Sequence, residues 1–130
     1  MDYKGVIIEE SLGSKLILKK IKIVKTKTES VTPKHKTPWL KQWTLHTVEI
    51  PENQSEEISK EISHSFDPDH LDWYADFKNN KYHIIIYSNK IFKVDLNSPT
   101  LYKDAKEYGI SIGIPEYQVD FDPTNKVWDR

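Results

Sequence analysis

The stretch Trp73-Tyr74-Ala75-Asp76-Phe77-Lys78-Asn79-Asn80-Lys81-Tyr82-His83-Ile84-Ile85-Ile86-Tyr87-Ser88-Asn89-Lys90-Ile91-Phe92-Lys93-Val94 reads as a three-stranded antiparallel meander. Trp73 to Lys78 alternates in the period of a strand with one buried face. Asn79-Asn80 fits a two-residue hairpin loop, because asparagine tolerates the left-handed backbone such loops need. Ser88-Asn89 fits a second. Centred there, the first hairpin pairs residues whose numbers sum to 159 and the second residues summing to 177. One face then carries Trp73, Ala75, Phe77, Tyr82, Ile84, Ile86, Ile91 and Lys93, and is expected to meet the helices. The other carries Tyr74, Asp76, Lys78, Lys81, His83, Ile85, Tyr87, Lys90, Phe92 and Val94.

That second face is too apolar for a plain solvated surface. Either another part of the chain packs over it, such as the Trp39 to Trp43 segment or the C-terminal stretch, or it is a groove for a ligand or partner. The register sets Asp76 directly opposite His83. A carboxylate beside an imidazole holds the ring and favours its charged form. The pair is readable as an acid–base couple, an anion site or an ordinary cross-strand contact. The candidate ligand-binding residues are therefore Tyr74, Asp76, His83 and Tyr87, with Trp39, Trp43 and His46 from the neighbouring strand.

Outward from the meander, Gly5 to Ile8 predicts a short strand and Leu16 to Thr28 a long one. The alternation in the long strand slips at Val24, the mark of a β-bulge. Thr32 to Pro38, with two prolines, predicts a loop, and Trp39 to Ile50 a strand ending at Pro51. Asn53 and Glu56 have the spacing of a capping box. Ile58, Ile62 and Phe66 then fall on one helical face, and Asp67-Pro68-Asp69 ends that helix. Ser98-Pro99 predicts an N-cap followed by proline in the first turn. Leu101, Ala105 and Tyr108 share a face of this second helix, with Gly109 as its stop. Ile112 and Ile114 fit a last short strand. The order β-β-β-α-β-β-β-α implies an α+β fold: a mainly antiparallel sheet of five to seven strands with two helices packed on one face. Residues 1–121 are expected to form one domain and 122–130 a flexible tail.

The chain of 130 residues contains no cysteine, which excludes disulfides, thiolate metal sites and cysteine nucleophiles. The formal net charge of −1 conceals an asymmetry, because residues 15–41 hold nine lysines against Glu29 alone, a balance of +8, leaving −9 elsewhere. Lysines interleaved with Trp39 and Trp43 are a pattern for stacking bases and neutralising phosphates. The only arginine is Arg130, so nothing in that segment can fork onto guanine or phosphate. The opening residues form no signal-peptide core and no apolar run is long enough for a membrane span, so the expected location is cytoplasmic.

Two further patterns are weak. Gly109-Ile110-Ser111-Ile112-Gly113 matches G-x-S-x-G, but a nucleophile elbow needs a strand before the serine and a helix after it. Here a helix precedes and Pro115 follows. Asp67, Asp69, His70 and Asp72, with His64, offer metal-ligating atoms without the glycine and distal glutamate of a calcium loop. No metal or cofactor is expected.

The blocks Lys34-His35-Lys36-Thr37-Pro38-Trp39-Leu40-Lys41-Gln42-Trp43, Trp73-Tyr74-Ala75-Asp76-Phe77-Lys78-Asn79 and Gly109-Ile110-Ser111-Ile112-Gly113-Ile114-Pro115-Glu116-Tyr117 resemble those of a family of small, single-domain, uncharacterised prokaryotic proteins. The resemblance runs from about Tyr3 to Phe121. It implies a compact cytosolic domain and transfers no chemistry. The leading expectation is a small non-enzymatic binding or regulatory module for a small molecule or a protein partner, acting as monomer or homodimer without a membrane. The alternatives are a nucleic-acid-associated protein using the lysines of residues 15–41, and a small enzyme with an Asp76/His83 acid–base pair.

Overall fold

A computed structural model describes residues 2–30, 42–70, 72–114 and 116–119. Six strands and two helices follow one another as β1 (Tyr3–Ile8), β2 (Lys22–Ser30), β3 (Gln42–Ile50), α1 (Ser55–Ser63), β4 (Tyr74–Lys78), β5 (Tyr82–Tyr87), β6 (Lys90–Asp95) and α2 (Pro99–Ser111). The strands form one sheet in the order β2-β3-β1-β4-β5-β6. Every neighbouring pair is antiparallel. The α+β class and the two hairpins of the meander are as expected. The loop expected over Thr32 to Pro38, the start of its following strand at Trp39, and the tail from residue 122 lie outside the described residues.

Directly opposed residues in antiparallel strands share a face. One face therefore runs through Val48, Gly5, Phe77 and Ile84, and the other through Thr47, Val6, Asp76 and Ile85. The first face packs on α1, whose Ile58 and Ile62 join Ile7, Val48, Phe77, Ile84 and Ile86 in one core. Gly5 is required there, since a Cβ at its position collides with the Asp76 carbonyl oxygen and the Phe77 Cα. Tyr3 meets Phe77 edge-on, ring centroids 5.5 Å apart.

The second helix departs from the expected placement. Instead of lying beside α1, α2 covers the opposite face, where Tyr102 and Ala105 pack with Ile85, Tyr87, Val94, Ile114 and Val119 in a second core. The cause is the apolar character of that face, which needs a cover of its own. The buried ridge of α2 is Tyr102, Ala105 and Gly109, and Leu101 is exposed. Ser98 caps the helix as expected, accepting from the Leu101 N–H. Gly109 is not the stop. It lies inside the helix, where a Cβ would come 2.7 Å from Val119 Cγ1 and 2.8 Å from Tyr87 Oη. The helix ends at Gly113, φ +100°, with Gly113 N–H donating to Ile110 O and Ile114 N–H to Gly109 O. That is a Schellman motif. It replaces the last strand expected at Ile112 and Ile114.

Three other expectations change locally. The long strand expected from Leu16 begins only at Lys22, because Leu16–Lys19 is a 3-10 turn that buries Ile17. The expected bulge is present, between Ile23 and Lys25. The capping box of Asn53 and Glu56 does not form, because a 3-10 turn over Glu52–Gln54 leads into α1 and Ser55 Oγ donates to Glu52 O. The β4–β5 hairpin pairs Lys78 with His83 and Asp76 with Ile85, a sum of 161 rather than 159. Asn79 is the cause: its side chain accepts from the N–H groups of Lys81 and Tyr82, which centres the turn on Asn80-Lys81. A shift of two leaves every side chain on the face assigned to it. The β5–β6 hairpin has the expected register, with Tyr87 opposite Lys90.

Candidate functional site

Asp76 and His83 meet, but along a diagonal and under cover. His83 Nε2 lies 2.7 Å from Asp76 Oδ2, and His83 Nδ1 lies 3.1 Å from the Tyr102 hydroxyl of α2. With Nε2–H donating to the carboxylate, Nδ1 accepts from Tyr102. The side chains of His83 and Asp76 are 0% and 1% exposed. Sheet twist brings the diagonal neighbour within reach, and α2 closes the network from above. Its third member, Tyr102, is hidden in the sequence, because the apolar spacing Leu101, Ala105 and Tyr108 points to the neighbouring stripe of the helix.

Next to this relay, Tyr87 donates to the Ala105 carbonyl at 2.7 Å. Burial pushes its phenol well above the ordinary tyrosine range, with the nearby Tyr74, Asp76 and Tyr108 adding to the effect. Half-buried Tyr74 lies against Tyr87, ring centroids 6.4 Å apart, and Tyr108 at 5.0 Å completes an aromatic packing unit.

The other candidate residues lie apart. His46 is on the α1 face, opposite Ile7, with Thr26 Oγ1 2.9 Å from Nδ1 and Glu9 Oε1 3.1 Å from Nε2. Trp43 is buried against Trp73, centroids 5.5 Å apart. Trp39 lies outside the described residues. The structure thus unites Tyr74, Asp76, His83 and Tyr87 and separates them from Trp43 and His46.

α2 covers the β5–β6 part of its face. On the β3–β1–β4 part of that face the described residues leave a cavity of about 520 Å³, bounded by Lys4, Val6, Thr47, Asp76 and Lys78, with Asp2, Gly5, Asn79 and Asn80. Most of its lining surface is apolar, although the residues that bound it include two lysines, two aspartates, two asparagines and a threonine. Asp76 belongs both to this lining and to the relay with His83. Lys4, Val6, Thr47 and Lys78 carry no short-range sequence signal. They converge only because β1 is inserted between β3 and β4, a long-range pairing.

No group of three or more histidine, aspartate or glutamate side chains among the described residues is arranged to hold a metal. Asp67 Oδ1 accepts from the Asp69 N–H and so shapes the turn after α1. Ser111, centre of the G-x-S-x-G match, sits at the end of α2 with its hydroxyl on Tyr108 O. No helix among the described residues is long and apolar enough to cross a membrane. Comparison of the chain with protein families, curated proteins and solved structures finds no match.

Proposed function

We propose that this chain is a small, non-catalytic binding module that holds a small polar ligand in the cavity over β3, β1 and β4. The cavity itself carries the reading. Its volume of about 520 Å³ falls in the range of small-molecule sites, and its mainly apolar lining, with a few polar residues at it, is typical of such sites. Catalysis finds less support: both ring nitrogens of His83 are engaged by protein groups, and the ring is out of contact with solvent. An acid–base residue has to reach the proton it transfers.

The test fills the cavity. A panel of small polar fragments, screened by saturation-transfer NMR against the full chain, gives hits that Val6→Trp abolishes and Leu101→Ala, on the exposed side of α2, retains. Circular dichroism establishes that the variant is folded, and Thr47→Tyr serves if Val6→Trp is not. Hits that persist in the filled variants, or an empty screen, contradict the proposal.

One observation favours a second reading, a polyanion such as single-stranded nucleic acid on β2. All nine residues of β2 are exposed, and Lys22, Lys25 and Lys27 stand opposite Glu49, Thr47 and Leu45, on the cavity side of the sheet. Retention on single-stranded DNA that fades with salt supports this reading. Absence of retention at low salt removes it.

A further inference from the structure

We infer that the edge formed by β2 and the 3-10 turn before it docks on an anionic lipid surface. The inference is independent of the cavity and uses another part of the molecule. It concerns the face of a bilayer, since no helix among the described residues is long and apolar enough to cross one.

Residues 15–27 hold six lysines and no acidic side chain. Lys15, Lys20 and Lys22 are paired with Glu9, Glu61 and Glu49. Lys19, Lys25 and Lys27 are exposed and have no ion pair among the described residues. The same stretch carries Leu16, Ile23 and Val24 at 65%, 38% and 42% exposure. They are three of the five large apolar side chains that stand exposed among the described residues, a concentration that isolated surface apolar residues do not show.

The fold gathers these groups at one edge. The turn Leu16–Lys19 lies against β2, and β2 is the last strand of the sheet. Val24 is the extra residue of the bulge and has no partner on β3. Ile23 shares the face of Val48, while Lys25 and Lys27 share that of Thr47 and Leu45, so apolar and cationic side chains flank the same strand edge.

This chemistry fits lipid better than the other polyanions. The exposed apolar groups are aliphatic and offer a base no ring to stack on, and the segment has no arginine. A protein partner is gripped by anchors in pockets, whereas β2 is exposed at all nine positions. At a bilayer surface, aliphatic side chains enter the boundary between headgroups and acyl chains. The long lysine stems leave their ammoniums among the anionic headgroups.

Flotation of the full chain at low salt with phosphatidylcholine vesicles, with and without phosphatidylserine, tests this. The chain should bind only the vesicles that contain phosphatidylserine. Lys25→Gln/Lys27→Gln should weaken binding about fivefold for each charge removed. Leu16→Ser/Val24→Ser leaves every charge in place and should also weaken binding, while Leu101→Ser, an exposed apolar change on α2, should not. Circular dichroism establishes that the variants are folded, and Leu16→Ser alone serves if the double variant is not. A fluorophore that reports polarity, attached at Val24→Cys, should shift to the blue on these vesicles but not on single-stranded DNA. Absence of binding to phosphatidylserine overturns the inference. So does equal binding without that lipid, which would leave the lysines no role. Binding unchanged in Leu16→Ser/Val24→Ser also overturns it, by reducing the contact to charge alone and favouring nucleic acid.

Discussion

At the residue scale, the Asp76–His83–Tyr102 network shows how two titratable side chains come to be buried. The imidazole joins a sheet carboxylate to a helix hydroxyl, and polar groups taken from water need such partners. His83→Ala leaves the buried carboxylate without its imidazole and should cost about 3–5 kcal/mol of unfolding free energy in denaturant titrations. In Asp76→Ala/His83→Ala the loss should be smaller than the sum of the single losses, since the two side chains interact directly. Additive losses would show that the contact contributes little. Tyr87 makes a second prediction. Its folded-state phenol loses its proton less readily than the free side chain, so above about pH 10 the unfolded chain binds fewer protons than the folded one. Stability present below that pH should fall as pH rises past it. Tyr87→Phe should lower stability near neutrality, by loss of the bond to Ala105, and flatten the alkaline decline. An alkaline limb identical to that of the parent would contradict this. The sequence shows Asp76 and His83 on one face, because strand alternation survives a two-residue change of register. It does not show their diagonal contact, which depends on the side-chain turn of Asn79.

At the element scale, α2 is fixed by two glycines with different tasks. Gly109 lets the helix approach Tyr87 and Val119, and Gly113 adopts the left-handed conformation that ends it. Gly109→Ala should cost about 1–3 kcal/mol through overpacking. Gly113→Ala faces open space beyond a 3.9 Å contact with Asp72, so its cost is backbone strain alone, about 1 kcal/mol. Thermal unfolding of both variants checks the order, and a larger loss in Gly113→Ala would reverse the assignment of roles. Capping by Ser98 was legible because it is local in sequence. The side of the sheet that α2 covers was not, because a helix periodicity reports an apolar stripe and not the face it meets. β2 shows the converse: the slip at Val24 was legible as a bulge, and a bulged, lysine-rich edge strand resists pairing with another chain.

At the scale of the whole molecule, the sheet has covers of two kinds. α1 packs on one face and α2 on part of the other, and the first strand of the chain sits between β3 and β4. That insertion pairs residues some 40 and 70 positions apart in sequence, beyond the reach of local patterns, and it is what assembles the cavity lining. The charge asymmetry between residues 15–41 and the remainder takes on a spatial meaning here. Lys22, Lys25 and Lys27 lie on the same side of the sheet as Lys4 and Lys78, so that side combines lysines from both parts of the sequence. Whether the β3–β1–β4 part of this face is open to solvent decides the proposed function, and the absence of cysteine makes the question directly measurable. Thr47→Cys places a single thiol in the cavity lining, Lys103→Cys one on the exposed side of α2, and Val94→Cys one beneath α2. Under native conditions the thiol at position 47 should react with a small thiol reagent at a rate close to that at position 103, while the thiol at 94 reacts only as the chain unfolds. A thiol at position 47 as protected as that at 94 would mean that the face is closed, and would contradict the binding site.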